Sequence, residues 1–593
     1  MHRINDCSGG RPSHRWLQLD SYTRELSALI PTVAAVLIVL TPLAGAAAQS
    51  VEGGTACRAQ VELLPRLTPL VVRTGRLDNG KVTCLALFAR RGEFVRASLD
   101  IGAGIARTQV FRPRQNEPLL VNWNWAFQGA SYSGLPITFE VPASGWYVIE
   151  LAGWENGGSP FTIQIDEVVP ARTYAARRQA LRDDSRTAWL RENAVAIRSI
   201  EPDDEDFSDL AFLRDQLRGV RLVLLGESDH GNGADLEAKT RLVKFLHREM
   251  GFDVLAFESG LFGTAAAWRA LPTQAEPRDA FLQGVFRVWG WSEQVQPLIR
   301  YLAASARTDR PLQLTGFDSQ VDDPASRDSM VPSLREFLTR SRIASPLSDA
   351  NSRPARILAG VIEGSFPRSG EPMPDPAEAA EFVRLLRATA AAVDDSVLTH
   401  EGRFWAQVLR SVSTAAVTSL RLERGGDGAR DRQMGENLVW LANEYYPGHK
   451  IIAWAHTSHA MRNPRVTGLS ALGGFHMGQR VWEALGGESF VIGMTSYTGV
   501  SGCITCRGFA ENLVQNVVAD QDSSFEFEEL MNAAGFKFGF VNLRRAREAG
   551  QWLGGTFAAR PLFQTYSAPW SDVLDALFFI HTQEPSRRVA GAR

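Results

Sequence analysis

The sequence predicts an α/β protein: a largely parallel or mixed central sheet flanked by helices, carrying a helical insertion and preceded by an N-terminal β-sandwich-like domain. Three observations predict it. The stretches RLVLLGESDHG, LEAKTRLVKFLHREM and FDVLAFE read as strand, helix and strand, with polar residues where each strand ends. Similar apolar runs recur in LQLTGFDSQ, HKIIAWAHTSH, ESFVIGMTSY, FKFGFVNL and DALFFIHT and alternate with helical periodicity, as in a sheet covered on both faces. Ahead of them, from about residue 52 to 167, short runs such as KVTCLALFA, EFVRASLDI and GWYVIELAGW are separated by Gly, Pro and Asn turn formers.

The chain has 593 residues, too many for one ordinary core, and its 45% hydrophobic and 22% charged content is that of a globular protein. A net charge of −3 gives no global attraction to nucleic acid, so no nucleic-acid partner is expected.

In chain order, residues 28–48 form an uncharged apolar run that follows Arg15 and Arg24 and ends in small residues. This is the pattern of a secretory signal peptide over residues 1–48, cleaved after Ala48. A retained membrane anchor is the alternative, since the run approaches the roughly 20 residues that span a bilayer; Pro31 and Pro42 speak against it. The sandwich-like domain is expected over 49–168, ending where the charged, Ala-rich RTYAARRQALRDD begins. The α/β domain follows over 169–593, with a helical insertion at about 327–437 serving as lid or wall at the sheet's active edge.

Export permits disulfides among Cys57, Cys84, Cys503 and Cys506. Cys57 with Cys84 would tie two strands of the first domain, and Cys503 with Cys506 would close a local bridge in SGCITC. Inert thiols and metal or redox work are the alternatives there. Trp123, Trp125, Trp146 and Trp154 read as packing residues, with a carbohydrate groove as the alternative.

The chemistry-bearing residues fall at four strand ends: Glu227 and His230, then Glu258, then Asp318, then His456 and His459. Singly, an acid after a strand caps a helix, and a histidine such as His247 packs structurally. Together, two histidines and two glutamates aimed at one sheet edge point to water activation. His230 is the candidate general base and Glu227 the carboxylate that orients its ring, while His456 or His459 would stabilise an oxyanion or protonate a leaving oxygen. Ser228 lacks a GxSxG elbow. The favoured reading has no cofactor, but Glu227, His230, Glu258 and His456 also include zinc or manganese donor types, so a divalent metal is the alternative despite the lack of an HExxH helix. Lys239 and Arg241 either offer positive charge to a polar substrate or face solvent.

GESDHG at 226–231, GFDVLAFESG at 251–260, GFDSQ at 316–320, RDRQMGENLVWL at 430–441, IIAWAHTSHAMR at 451–462 and HMGQRVWEALGGESFVIG at 476–493 follow in one order, and DALFFIH closes the set. This ordered set resembles the erythromycin esterase family over about residues 210–582. The resemblance implies a hydrolase in which water attacks an ester or macrocyclic lactone, with His230 as base, Glu227 positioning it, Glu258 a further acid and His456 a substrate or transition-state contact. Lys239, Asp318, His459 and Arg430 are the expected substrate-binding residues. Lys239 stands where macrolide-hydrolysing relatives have arginine, which keeps the charge and loses the two-pronged geometry. HGT is HGN here, and WAHN is WAHT with Thr457.

The expectation is an exported, periplasmic or secreted hydrolase acting on a small-molecule ester or lactone, a macrolide or an envelope-associated molecule among the candidates. A metal-assisted hydrolase and a non-catalytic envelope or polysaccharide-pathway binding protein are the competing readings. Oligomeric state is not legible in the sequence.

Overall fold

The computed structural model describes residues 54–590 apart from 79–80, 103, 113–114, 116, 128–129, 132–136, 155–158, 365–371, 423–426, 468–474, 503–514, 517–525 and 563. The apolar run at 28–48 and both Cys503 and Cys506 therefore lie outside the described residues. Among the described residues no helix is long and apolar enough to cross a membrane.

Strands of alternating burial form two antiparallel sheets in the first part of the chain. One runs in the order Arg73–Leu77, Ser159–Val169, Phe94–Ile101, Ile137–Glu140; the other runs Val82–Ala89, Gly145–Trp154, Gly104–Phe111, Leu120–Phe127, Ala130–Ser131. Inward residues of both, among them Leu85, Val95, Leu99, Ile149, Ile163 and Ile165, share one apolar cluster. Cys57 is bonded to Cys84. Cys57 sits on the short helix Gly54–Ala59, so the bridge ties a helix to a strand where the sequence suggested two strands. Trp146 packs between the Arg66 guanidinium, 3.7 Å from its ring, and Phe88 at 5.3 Å. The side chains of Trp123, Trp125 and Trp154 are outside what the structure describes.

The second part is built on a large mixed sheet. Its main strands are β1 (Leu222–Glu227), β2 (Val254–Gly260), β3 (Gln313–Asp318), β4 (Ile451–His456), β5 (Ser489–Ser501), β6 (Phe538–Asn542) and β7 (Ala576–Gln583). They lie in the order β6-β7-β5-β1-β4-β2-β3. All neighbours from β7 to β3 pair in parallel, and β6 is antiparallel to β7. The chain passes from β1 outward to β2 and β3, returns to insert β4 between β1 and β2, and then crosses to β5 on the other side of β1. Such a reversal of direction opens a crevice at the carboxyl ends of the strands.

Side-chain alternation divides the core between the two faces. Leu222, Leu224, Val254, Ala256, Ile451 and Ala453 pack with one apolar cluster, and Val223, Leu225, Leu255, Phe257, Ile452 and Trp454 with the other. The second face is covered by α1 (Gly233–Met250), which stops at Gly251 in the left-handed conformation, φ 71°. The first face is covered by helices Val331–Arg340, Arg353–Glu363, Pro376–Ser396 and His400–Ser419, whose Phe337, Leu358, Leu386 and Trp405 join the sheet's own cluster. The helical stretch is a wall continuous with the core. Its last helix, α2 (Asp427–Trp440), begins inside the expected insertion and runs past its end at 437.

Candidate active site

The strand order puts the ends of β1, β4, β2 and β3 side by side, and Glu227 is the register partner of His456. Glu227 is fully buried and accepts from three donors. His230 Nδ1 lies 3.0 Å from its Oε1, Trp289 Nε1 donates to the same oxygen at 2.9 Å, and Lys239 Nζ donates to Oε2. A carboxylate facing Nδ1 selects the tautomer that carries its proton there, which leaves the lone pair on Nε2. The His230 side chain is 37% exposed, and Nε2 has no hydrogen-bond partner among the described residues. One ring nitrogen is thus anchored on a buried carboxylate while the other is left without a partner among the described residues on a part-exposed ring.

Lys239 is not open to a substrate. It is fully buried, donates also to the Ala455 carbonyl at 3.1 Å, and lies 4.1 Å from the centre of the Trp454 ring. Burial drives its ammonium well below the ordinary 10.5, and Glu258 opposes that drop. Arg241, two positions on, faces away from the site. Its guanidinium holds Asp209 at 2.7 Å and the Ser199 carbonyl at 2.7 Å, a structural pairing in place of the suggested substrate contact.

A second charged group lies beside the first. Arg430, from α2, donates to Asp318 through Nε at 3.0 Å and Nη2 at 2.6 Å, and from Nη2 to Glu258 at 3.0 Å. Asp318 is fully buried, so of this pair only Arg430 is partly exposed. Glu258 also accepts from the His456 backbone N–H at 2.9 Å. Burial pushes the Glu258 carboxyl up, but His459, Arg430 and His230 outweigh it and hold it at about 2. His459 has a carboxylate at each ring nitrogen, Asp431 at 2.8 Å and Glu258 at 3.3 Å. Burial lowers its pKa, Glu258 and Asp431 raise it, and the net shift is upward, toward the imidazolium. The 3.3 Å approach of Arg430 Nη1 to His459 Nε2 then brings together two donors that share Glu258.

His456 differs. Its Nδ1 accepts from the Ser458 N–H at 3.1 Å, which leaves the proton on Nε2, donated to the Ser228 carbonyl at 3.1 Å. Burial first, then His230 and His459, push it down to about 3. It is neutral at ordinary pH and its N–H is engaged. His456 ends β4 and caps the one-turn helix Thr457–Ala460 that carries His459.

These shifts predict acid lability. An unfolded histidine titrates near 6.5, so between 6.5 and about 3 the unfolded chain binds a proton that folded His456 refuses, and stability falls as pH drops through that window. The loss by pH 3 is on the order of 4 kcal/mol. Glu258 acts in the same direction from its ordinary 4.5 down to about 2, its contribution being full above that window. His459 has the opposite sign: its contribution is full below 6.5 and fades as pH rises through its folded value. Thermal unfolding midpoints are expected to decline from pH 6.5 to 4, with a flatter profile for His456→Gln; a level wild-type profile would refute the assignment.

The loop around these residues is held by other chain segments. A Cβ at Gly231 would stand 1.6 Å from the Gly502 carbonyl oxygen, and the Gly231 carbonyl accepts from Gly502 N at 2.8 Å and Ser586 N at 2.7 Å. The glycine thus admits protein backbone beside His230. Ser228 is locked by Asp235, which accepts its hydroxyl at 2.9 Å, and by Asn232 at 2.7 Å, so it is not poised as a nucleophile. Among the described residues no group of three or more His, Cys, Asp or Glu side chains is arranged to hold a metal ion. Lys239 and Arg430 occupy oxygens of Glu227 and Glu258, so a metal ion would find those carboxylates already engaged. A cavity of about 880 Å³, lined by Arg387, Asp394, Arg410 and Glu436 among others, contains none of the site residues; the site is identified by its chemistry.

Trp289, Trp454 and Asp431 were not singled out from the sequence. Trp289 and Trp454 look like core residues there, and Asp431 has only its place beside Arg430 to mark it.

The sequence pattern of the erythromycin esterase family matches residues 247–582. The chain belongs to the erythromycin esterase family. Two curated relatives agree: "Putative hydrolase YbfO" of Bacillus subtilis (strain 168), 26% identical over 370 residues that cover 58% of this chain and 78% of the relative, and "Erythromycin esterase type II" of Escherichia coli, 20% identical over 386 residues that cover 61% and 89%. The solved structure of a mutant of the erythromycin esterase EreC in its open conformation shares the fold, with TM-score 0.53 and 17% identity over 68% of this chain and all of that one. Family and relatives support hydrolase activity. The family match begins beyond Glu227, His230 and Lys239, so the roles of those three rest on the geometry above.

Proposed function

We propose that this erythromycin esterase family member is an exported hydrolase that cleaves a small-molecule ester or lactone by general-base activation of water at His230. The observation that carries the proposal is the Glu227–His230 pair, with Nδ1 anchored 3.0 Å from a buried carboxylate and Nε2 without a hydrogen-bond partner among the described residues on a side chain 37% exposed. Nε2 takes a proton from water as the oxygen attacks the carbonyl carbon, and Glu227 stabilises the resulting imidazolium. Arg430 and the imidazolium of His459 supply positive charge for the developing oxyanion. The same proton then passes from His230 to the leaving oxygen. Neutral His456, its N–H engaged by Ser228, spaces the two groups, its ring centre 5.1 Å from that of His230 and 6.4 Å from that of His459. The names of the relatives make macrolide lactones one substrate class to test, and an envelope-associated ester another. The apolar segment at 28–48 and the Cys57–Cys84 bridge support export to an oxidising compartment.

The test is a panel of aryl esters and lactones, macrolides included, assayed with purified protein with and without chelator. Turnover unaffected by chelator, and reduced at least about 100-fold in kcat by His230→Ala, is expected. Hydrolysis that survives His230→Ala would reject the base, and a ligand bound without turnover would favour a binding protein.

A further inference from the structure

We infer that Trp289 is a positioning residue of the hydrolytic site, setting the charge and orientation of Glu227 and through it the basicity of His230; this rests on the proposed Glu227–His230 pair. Trp289 is 1% exposed, so it does not touch substrate. Its indole N–H donates to Glu227 Oε1 at 2.9 Å, the same oxygen that His230 Nδ1 approaches to 3.0 Å. The indole also meets the imidazole edge to face, ring centres 5.2 Å apart. Two donors on one carboxylate oxygen share its charge. With Lys239 on Oε2, the indole takes part of the negative potential that Oε1 would otherwise turn to His230, and it blocks rotation of the carboxylate away from the ring.

The position of Trp289 is itself supported. Phe257 packs edge to face on its ring at 5.8 Å and Phe286 stacks at 6.4 Å. The chain just beyond is stitched to the carboxyl-terminal segment: Val589 N donates to the Trp291 carbonyl at 2.9 Å, and Glu293 N donates to the Arg587 carbonyl at 2.8 Å. That segment also donates from Ser586 N to the Gly231 carbonyl at 2.7 Å, so the loops bearing Trp289 and His230 are held by one strap.

Trp289→Phe keeps an aromatic ring and deletes the donor. A hydrogen bond to a charged group is worth about 10- to 100-fold, so kcat is expected to fall by that factor with KM nearly unchanged. With Oε1 no longer shared, the imidazolium is favoured and the acid limb of the kcat/KM profile moves to higher pH. A purely structural defect would lower activity equally at every pH. Trp289→His, which restores an N–H, is expected to recover part of both effects. A second measurement needs no variant at 289. In the full chain labelled with ¹⁵N-tryptophan, one indole N–H resonance among the 15 tryptophans is expected to move upfield in Glu227→Gln. If no resonance responds, or if Trp289→Phe keeps the parent's kcat and pH profile while His230→Ala is inactive, the inference is overturned and the proposed function stands. If His230→Ala is as active as the parent, the base assignment and this role both fall.

Discussion

Glu227→Gln is expected to lower kcat by about 10⁴-fold, the scale on which an orienting carboxylate acts in a histidine-based hydrolytic site. Neither orientation of the amide preserves the base. With its oxygen toward His230 and Trp289, its NH2 faces the Lys239 ammonium, and the negative charge that stabilises the imidazolium is gone. With its oxygen toward Lys239, its NH2 meets the indole N–H and forces His230 into the tautomer whose Nε2 carries the proton and cannot act as base. Burial already favours neutral Lys239, so in the variant the amine sheds its proton and the stability cost stays on the order of 1–3 kcal/mol. Steady-state kinetics on whichever ester the protein turns over, together with a thermal unfolding curve, separates the two effects. A variant within tenfold of the parent would remove Glu227 from the mechanism.

Arg430→Gln is expected to destabilise the protein by about 3–5 kcal/mol near neutral pH, the cost of breaking a buried ion pair by removing one partner. Among the described residues, fully buried Asp318 would keep the Gln320 N–H at 3.1 Å, and Glu258 would keep His459 and the His456 N–H. The sign of the pH dependence follows from Glu258. Its carboxylate is held at about 2 partly by Arg430, so without the guanidinium that value rises toward the ordinary 4.5 and beyond. The parent gains stability from the depressed value above pH 4.5 and loses it as pH falls; the variant has little to lose. The difference between them should therefore be largest near pH 7 and shrink toward pH 4. Asp318→Asn added to Arg430→Gln is expected to restore part of the loss, because it removes one stranded charge. Denaturant unfolding at pH 7 and pH 4 measures this, and an equal difference at both would refute the electrostatic account.

The positions where charge follows an apolar run were readable from the chain. Glu227, Asp318 and His456 each end a strand and Glu258 lies two residues before the end of one, and a buried strand admits charged side chains most readily where it leaves the sheet. The antiparallel direction of β6 was not readable, because its alternation is the same in either direction. The hairpin of Phe557–Leu562 and Gln564–Ala568 was not singled out either. Lys239 and Arg241 show the limit most directly. Both lie on one predicted helix as basic residues, yet two positions of helical rotation turn one into the carboxylate cluster and the other toward Asp209 on the far side.

By itself, then, the order of residue types determined the strands, the helices between them, the polar strand ends and the kind of chemistry available there. Only the tertiary structure decided which ends are neighbours, because β4 is inserted between β1 and β2 after almost two hundred residues of intervening chain. It also decided that Trp289 donates to Glu227 and Asp431 meets His459, and that Lys239 is fully buried against Glu227. The physical reason is range. Local periodicity comes from backbone geometry within a few residues, whereas a buried charge is satisfied by whatever donor the packed chain brings within about 3 Å, at any separation along the sequence.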